Sequence, residues 1–173
     1  MGNSNFRYDH DEFSDEMLNS SIYNILNSNT LLSMASVNDN KSWINTAFFC
    51  FNNYLDIFFL TEIESQHSKN LAGNNSVAVS IFDSNQQWGP GKLKGLQLFG
   101  ICKKAQGIQL LEGTRLYLMR YPGVAKWLTK PEDLLKGLLG SWIYIFSPSR
   151  IKILYEELFG EENYISLLIH KSK

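Results

Sequence analysis

The sequence predicts a mainly β protein, a closed or nearly closed barrel of six to seven antiparallel strands with flanking helices. Short apolar runs rich in β-branched and aromatic residues alternate with turns rich in Asn, Asp and Gly. Helical spacing is confined to the N-terminal part, one short excursion and one stretch of the second half. Closure of such a sheet removes the exposed edges that many short strands otherwise leave.

Composition indicates one globular domain, residues 1–173, with an ample core. Hydrophobic residues make up 44% of the chain and charged residues 19%, which excludes a disordered chain. The 16 basic and 17 acidic residues give a net charge of -1, so no broad positive field favours nucleic acid or an anionic membrane. No apolar run approaches the roughly 20 residues that span a bilayer, and the N-terminus is polar and acidic. We therefore expect a soluble, cytoplasmic protein without nucleic-acid or membrane partners.

The first third of the chain is predicted to form a helix followed by a three-strand meander. Residues 1–10 look disordered, and a helix is predicted over 12–27, because apolar residues recur there at near-helical spacing. Asn-rich turns then separate three predicted strands, since Asn and Asp tolerate positive φ. These strands cover residues 30–37, 43–51 and 55–61.

The remainder continues the barrel around two helical regions. A short helix over 62–72 is predicted, with Ser65 as its cap and Gly73 at its end. Further strands are predicted over 76–82, 95–105, 142–146 continuing through 151–154, and 164–169. Residues 109–139 are predicted to be a helical insertion, with helices over 109–119 and 131–139. The interior of so small a barrel is filled by side chains, so a ligand is expected at its rim, outside it or between two copies.

The corner after the strand 55–61 is the most informative segment. The strand delivers the Thr61 hydroxyl at its end, and a helix that begins near Ser65 presents backbone N–H groups without helical partners. His67 and Lys69 add cationic or donor groups. This arrangement suits an anion, but on this segment alone an ordinary strand-to-helix corner with a capping serine is favoured, because such caps are far commoner than phosphate sites.

Other reactive side chains give no catalytic or metal site. Cys50 and Cys102 lie in apolar strand-like runs, where a buried thiol is commoner than a disulfide or a ligand pair. His10, His67 and His170 are too scattered for metal-ligand spacing. No residue is therefore assigned a catalytic or metal-binding role.

The order of FFLT, S-x-H-x-K, VAVSIF and GLQLFG resembles the FMN-binding split barrel family, typified by pyridoxamine 5'-phosphate oxidase, over residues 31–169. In that family a Thr at the end of the third strand and a Ser-Arg-Lys run hold the flavin phosphate. Thr61 and Ser65 match, while Gln66 takes the Arg place and His67 the Lys place. The resemblance implies FMN as the cofactor, held by a weakened phosphate grip.

The resemblance also places the second strand of the barrel beside the flavin ring. Cys50 stands where the oxidase has a Lys, and is either a core thiol or a neighbour of the flavin. Gln97 matches a fifth-strand glutamine that hydrogen-bonds the ring or ribityl chain, unless it is simply a solvent-facing strand residue. The implied cofactor-binding residues are Asn45, Thr46, Ala47, Phe48, Leu60, Thr61, Ser65, Gln66, His67, Lys69 and Gln97.

Within the family, the runs 43–49, 61–67, 96–100 and 120–125 are similar to a small uncharacterised bacterial subgroup. The Trp- and Arg-rich substrate motif of the true oxidase has no counterpart after Leu154, so pyridoxal phosphate synthesis is not expected. Trp88, in a Gly- and Pro-containing loop, is either a lid over the flavin or an indole that covers a barrel end.

Two functions follow from the resemblance. The first is a homodimer that binds FMN at its subunit interface and passes electrons between a donor such as NAD(P)H and an unknown substrate. The second is a non-catalytic split-barrel binding module that has lost tight FMN binding and holds haem, a deazaflavin or a protein partner. Gln66 and Cys50, which replace basic residues of the oxidase, motivate the second function.

Overall fold

The computed structural model describes residues 6–127 and 141–171. Its strands are β1 (Phe6–Tyr8), β2 (Leu31–Asn38), β3 (Lys41–Phe51), β4 (Ile57–Glu62), β5 (Ser76–Phe82), β6 (Lys94–Lys104), β7 (Ser141–Tyr155) and β8 (Tyr164–Lys171). Its α-helices are α1 (Asp15–Ser28), α2 (Gln66–Gly73), α3 (Gly107–Arg120) and α4 (Glu156–Phe159), and a 3₁₀ helix covers Pro122–Trp127.

Six of the strands close a barrel. The strand order is β1-β8-β7-β4-β3-β2-β5-β6, and β6 also pairs with β7, which joins the ring. The pairings are antiparallel, and β8 and β1 extend the sheet beyond the ring. The predicted mainly β split barrel with flanking helices is confirmed, with six strands in the barrel itself.

The β6–β7 seam that closes the barrel depends on a close backbone approach. The pairing register shifts between Phe99 and Gly100. A Cβ added at Gly100 would lie 2.2 Å from the carbonyl oxygen of Ser147. Only a residue without a side chain allows the two strands to approach this closely.

Among the described residues, the barrel interior is a packed core of apolar side chains. Inward side chains from neighbouring strands are fully buried, and α1 adds four apolar side chains to the same cluster. They include Met34, Phe49, Phe59, Leu98 and Ile151 from the strands and Leu18, Ile22, Ile25 and Leu26 from α1. This filled interior agrees with the expectation that a ligand lies at the rim, outside the barrel or between two copies.

Helix α3 covers one part of the outer face. It packs against β3, β4 and β7 through a second buried cluster that contains Cys50, Phe58 and Tyr117. A Cβ at Gly113 would lie 2.5 Å from the Phe58 ring, so the glycine permits this close packing. The outer faces of β2, β5 and the first half of β3 stay exposed.

Two predictions at the N-terminus need correction. The segment 1–10 is not disordered throughout, because β1 pairs with β8 and the buried Tyr8 donates a hydrogen bond to Asn19 Oδ1 at 2.6 Å. The helix predicted from residue 12 begins at Asp15, after a capping Ser14. Residues 1–5 and the helix predicted over 131–139 lie outside the described residues. No helix within the described ranges is long and apolar enough to cross a bilayer.

Candidate functional site

The corner between β4 and α2 forms as the sequence predicts. Thr61 lies near the end of β4 with only 7% of its surface exposed. Ser65 is the N-cap of α2, and its hydroxyl accepts a hydrogen bond from the Ser68 backbone N–H. The backbone N–H of Ser65 donates to the Glu62 carbonyl at 3.2 Å, which closes the turn. The Ser65 capping role is therefore confirmed, and it brings Thr61 and Ser65 together.

A cluster of hydroxyls and one imidazole fills this corner. The Thr61 Oγ1 and Ser65 Oγ atoms are 3.4 Å apart. The Nε2 atom of His67 is hydrogen-bonded to Thr61 Oγ1 and lies 3.1 Å from Ser65 Oγ. The hydroxyls of Ser65 and Ser68 both donate to the Glu62 carbonyl at 2.7 Å. We call Thr61, Ser65 and His67 the hydroxyl corner.

The pKa of His67 lies below the ordinary histidine value in this arrangement. Burial of the ring lowers the pKa of His67, and the Glu62 carboxylate opposes that shift only in part. A histidine that faced a phosphate would have a raised pKa. The ring instead faces the two hydroxyls, so the hydroxyl corner is occupied by a side chain of the protein itself.

Gln66 and Lys69 do not join the hydroxyl corner. Gln66 Nε2 donates to Asn70 Oδ1 at 2.9 Å, on another side of α2. Lys69 is exposed, and its Nζ atom pairs with a carboxylate oxygen of Glu64 at 3.5 Å. Gln66, at the Arg position of the family, and Lys69 therefore place no charge next to Thr61.

A row of polar side chains crosses the exposed outer face of the barrel. Thr46, Ser33, Ser80, Gln97 and Lys152 are successive register partners from β3 through β2, β5 and β6 to β7. The hydroxyl oxygens of Ser33 and Thr46 are 3.3 Å apart. We call these five residues the polar row. It links the predicted Thr46 and Gln97, and it adds two serines that the sequence reasoning missed.

Apolar side chains flank the polar row. Ile44, Ala35, Ala78 and Phe99 form the adjacent row, and they line a shallow groove of about 300 Å³ together with Ser33, Ser80 and Gln97. Two large apolar side chains on this surface are strongly exposed to solvent: 68% of Ile44 and 52% of Phe48 are accessible. We call this surface the exposed face; it comprises the polar row, the adjacent row and Phe48.

Strand alternation separates the residues that were expected together along the flavin. Thr46 and Phe48 lie on the exposed face, but Ala47 packs against the barrel core on the opposite side of β3. Asn45 points the same way as Ala47, and among the described residues its buried Oδ1 atom has no hydrogen-bond partner. Leu60 packs into the cluster beneath α3. Side chains of Asn45, Ala47 and Leu60 thus do not join the exposed face.

Two further residues singled out in the sequence, Cys50 and Trp88, lie in a buried cluster and in solvent respectively. Burial raises the pKa of the Cys50 thiol to about 12, so Cys50 is a neutral core thiol. Trp88 is 89% exposed and therefore does not cover a barrel end. In the part of the chain that the structure describes, no group of three or more His, Cys, Asp or Glu residues could hold a metal ion.

The chain has little similarity to known proteins at the level of sequence. No family model matches the chain. A 71-residue stretch is 35% identical to the sorting assembly machinery 50 kDa subunit of Saccharomyces cerevisiae, and it covers 41% of this chain but only 13% of that protein.

Solved structures align over most of the chain. A haem-binding protein from Mycobacterium smegmatis has a TM-score of 0.68 at 12% identity, with 87% of this chain and 57% of that chain covered. A putative pyridoxamine 5'-phosphate oxidase from Listeria innocua has a TM-score of 0.60 at 18% identity, with 80% of this chain and 98% of that chain covered. An FAD-binding protein from Mesorhizobium loti has a TM-score of 0.58 at 10% identity, with 84% of this chain and 94% of that chain covered. At these identities the likeness establishes the split-barrel fold alone, and the chain spans little more than half of the haem-binding protein.

Proposed function

We propose that the chain binds FMN with the flavin phosphate at the hydroxyl corner, which lies past the end of β4 on the core-facing side of that strand, and with the flavin ring reaching over the barrel rim onto the exposed face, and that it works as a flavin-dependent oxidoreductase. The observation that carries this proposal is the convergence of the Thr61 and Ser65 hydroxyls and the His67 ring at the start of α2. Split-barrel proteins with an oxidase name and with an FAD-binding name support it. The electron donor, such as NAD(P)H, and the substrate are unidentified.

The hydroxyl corner has donors that suit a phosphoryl group. The first backbone N–H groups of α2 have no carbonyl partner within the helix, and the helix dipole favours an anion there. The Thr61 hydroxyl lies beside them, whereas the Ser65 hydroxyl caps the helix and donates to the Glu62 carbonyl. Since Gln66 stands at the Arg position and Lys69 is paired with Glu64, the grip depends on hydroxyls, amides and His67.

The exposed face offers the contacts that a planar polar ring needs. The Gln97 amide carries both a donor and an acceptor, and Ser33, Thr46 and Ser80 add hydroxyls on the same row. Ile44 provides exposed apolar surface beside them. A bound flavin would supply electron transfer, while the protein would hold and orient it and exclude water.

We further propose that a second copy of the chain covers the exposed face, which places the flavin at a homodimer interface. Large apolar side chains are exposed together there, and such a surface is typical of an interaction site. The near-zero net charge of the chain does not oppose self-association. The same face carries Thr46 and Gln97, so the proposed interface and cofactor site coincide.

The cofactor proposal predicts a defined loss in a double variant. Thr61→Ala with Ser65→Ala removes the Thr61 donor and the cap that orders the first backbone N–H groups of α2, so FMN affinity is expected to fall about tenfold or more, at about 1 kcal/mol for each change. Flavin fluorescence quenching measures the affinity. Ser20→Ala, on the exposed surface of α1, is the matched control and should bind as the unaltered protein does. Absence of saturable FMN binding by the unaltered protein overturns the proposal.

The dimer proposal predicts that a charge on the exposed face separates the subunits. Ile44→Glu places a carboxylate where a second copy would bury it, so sedimentation velocity should show a monomer, and FMN affinity should fall. Ile108→Glu, on an α3 residue that is 78% exposed, is the control and should leave the dimer intact. A monomeric unaltered protein, or an Ile44→Glu protein that stays dimeric, contradicts the interface.

The second candidate is a non-catalytic binding module for haem, a deazaflavin or a protein. It is favoured by the His67 ring, which already fills the hydroxyl corner and whose pKa is lowered by burial, and by the haem-binding protein of the same fold. The absorption spectrum of freshly purified protein separates the candidates. Flavin bands that bleach with NAD(P)H support the oxidoreductase, whereas a haem Soret band supports the binding module.

A further inference from the structure

We propose that a pocket between the β2–β3 hairpin and α2 binds an adenine base. Its volume is about 310 Å³, at the small end of the range for ligand sites. We call it the hairpin pocket; it is lined by Asn38, Asp39, Lys41 and Trp43 from the hairpin and by Gln66 and Asn70 from α2. The inference does not rest on the proposed function, because none of these residues belongs to the hydroxyl corner or the exposed face.

The hairpin pocket lies on the opposite side of β3 from the exposed face. Successive side chains of a strand alternate between its two sides, and Trp43 directly precedes Ile44 of the exposed face. Trp43 is the register partner of the buried Ser36, which is hydrogen-bonded to Asn70 of α2. Occupation of the hairpin pocket can therefore be measured separately from binding at the exposed face.

Two contacts hold the walls of the hairpin pocket in place. Asn70, of which 3% is exposed, donates through Nδ2 to Ser36 Oγ at 3.2 Å. At the end of α2, Asn38 packs so closely on Gly73 that a Cβ there would lie 2.7 Å from Asn38 Oδ1. The hairpin and the helix are thus joined on both sides of an open volume. A ligand finds this pocket preformed, so binding does not have to order it first.

Trp43 gives the hairpin pocket a flat aromatic wall. Its indole lines the pocket and is 49% exposed, so one part of the ring is free for contact. Aromatic side chains of this kind stack against nucleobases. Asp39 and Lys41 add one charge of each sign, and neither forms an ion pair with another described residue. Because these charges balance, the pocket suits an uncharged planar ring better than a phosphate or an ammonium ion.

Gln66 supplies a hydrogen-bond acceptor of defined orientation. Its Nε2 atom donates to Asn70 Oδ1 at 2.9 Å, and Asn70 in turn uses its Nδ2 atom on Ser36. This order of donors leaves the Oε1 atom of Gln66 for a ligand in the pocket that Gln66 lines. The exocyclic amino group of adenine is a donor for such an oxygen. Hypoxanthine, which carries a carbonyl at the same ring position, is not.

Adenine reaches a protein in two forms, as a free nucleoside or nucleotide and as part of a dinucleotide such as FAD or NADH. Both forms carry the same base, so the proposal concerns the base, and competition experiments separate the sources. FAD that displaces bound adenosine assigns the base to a dinucleotide. FAD that leaves adenosine bound assigns it to the free nucleoside. AMP is expected to bind no more tightly than adenosine, because Asp39 balances Lys41.

Calorimetry with adenosine tests the stacking wall. Trp43→Ala removes the indole, so we expect the affinity for adenosine to fall about tenfold or more. Trp43→Phe keeps an aromatic ring and should retain most of the affinity. Trp88→Ala, which removes an 89% exposed indole from another loop, is the matched control and should bind adenosine as the unaltered protein does.

Comparison of adenosine with inosine tests the Gln66 acceptor. The unaltered protein is expected to bind adenosine about tenfold more tightly, since inosine would set its carbonyl against Gln66 Oε1. Gln66→Leu removes this acceptor without adding a charge, so the difference between the two nucleosides should largely disappear. Gln87→Leu, the same change at an exposed position of another loop, is the control and should retain the difference.

The results that overturn the proposal are specific to this pocket. They are the absence of saturable adenosine binding by the unaltered protein, and a Trp43→Ala protein that binds adenosine as tightly as the unaltered one. Should Trp43→Ala fail to fold, the NMR signal of the Trp43 indole N–H in the unaltered protein is followed instead. That signal should shift on addition of adenosine, and an unmoved signal overturns the pocket. Since adenosine contains no flavin, FMN titration still decides the cofactor proposal by itself.

Discussion

A Gly100→Ala protein is expected to lose about 3 kcal/mol or more of its unfolding free energy, the upper part of the range for overpacking. The added Cβ would lie 2.2 Å from the Ser147 carbonyl oxygen and 2.8 Å from Pro148 Cα. Both atoms belong to backbone and cannot rotate away as a flexible side chain can. The β6–β7 pairing would have to separate at the register shift, and this pairing closes the barrel.

Urea denaturation followed by circular dichroism measures this loss. Gly123→Ala is the matched control, because a Cβ at Gly123 would meet no atom within 4 Å, and its curve should lie close to that of the unaltered protein. If Gly100→Ala and Gly123→Ala denature at the same urea concentration, the close approach of β6 to β7 is not a requirement of the fold. A lower expression yield alone does not count as support.

The strands could be predicted because their signals are local. The turn between β2 and β3 contains Asp39 and Asn40 at φ values of 50° and 58°, as expected of residues that tolerate positive φ. The β1 strand could not be predicted, since three residues gain their stability only by pairing with β8 at the other end of the chain. Its pairing partner is not encoded in the segment itself.

The hydroxyl corner could also be predicted in part, for the same reason. Thr61, Ser65 and His67 lie within one strand-to-helix connection, so their proximity follows from local structure. The direction of the His67 pKa did not follow, because it depends on burial by the surrounding fold. Sequence spacing places a histidine near a helix start, but it does not say how much water the ring retains.

The exposed face was predicted less completely, since it depends on register across strands. Ser33 and Ser80 alternate with apolar residues in their own strands, and this pattern is the signal that could have assigned them to an outward face. Their alignment with Thr46 and Gln97 requires the pairings of β2 with β3 and β5, which no local pattern gives. Period-two alternation would also have separated Thr46 from its neighbours on β3.

Arg120→Met is expected to cost about 2–3 kcal/mol of unfolding free energy, because Arg120 ties α3 to the end of α1. One terminal nitrogen, Nη2, donates to the carbonyl oxygens of Leu26, at 3.0 Å, and Asn29. The guanidinium carbon also lies 5.0 Å from the centre of the Phe49 ring and 5.3 Å from that of Phe51. Methionine keeps much of the apolar stem but leaves both carbonyls without this donor.

The same change should also weaken flavin binding, since Arg120 supports the border of the exposed face. The adjacent Tyr121 donates its hydroxyl to the Phe49 carbonyl at 2.7 Å, and its ring lies 5.6 Å from the Phe48 ring. Urea denaturation and FMN titration of Arg120→Met measure the two effects, with the exposed Arg115→Met as control. Arg120→Lys retains the charge but not the planar, forked donor geometry, so its stability should fall between those of the unaltered protein and Arg120→Met. If Arg120→Met and Arg115→Met unfold with the same free energy, the contacts between α1 and α3 through Arg120 do not stabilise the fold. If Arg120→Met loses FMN affinity but no stability, Arg120 contacts the ligand directly.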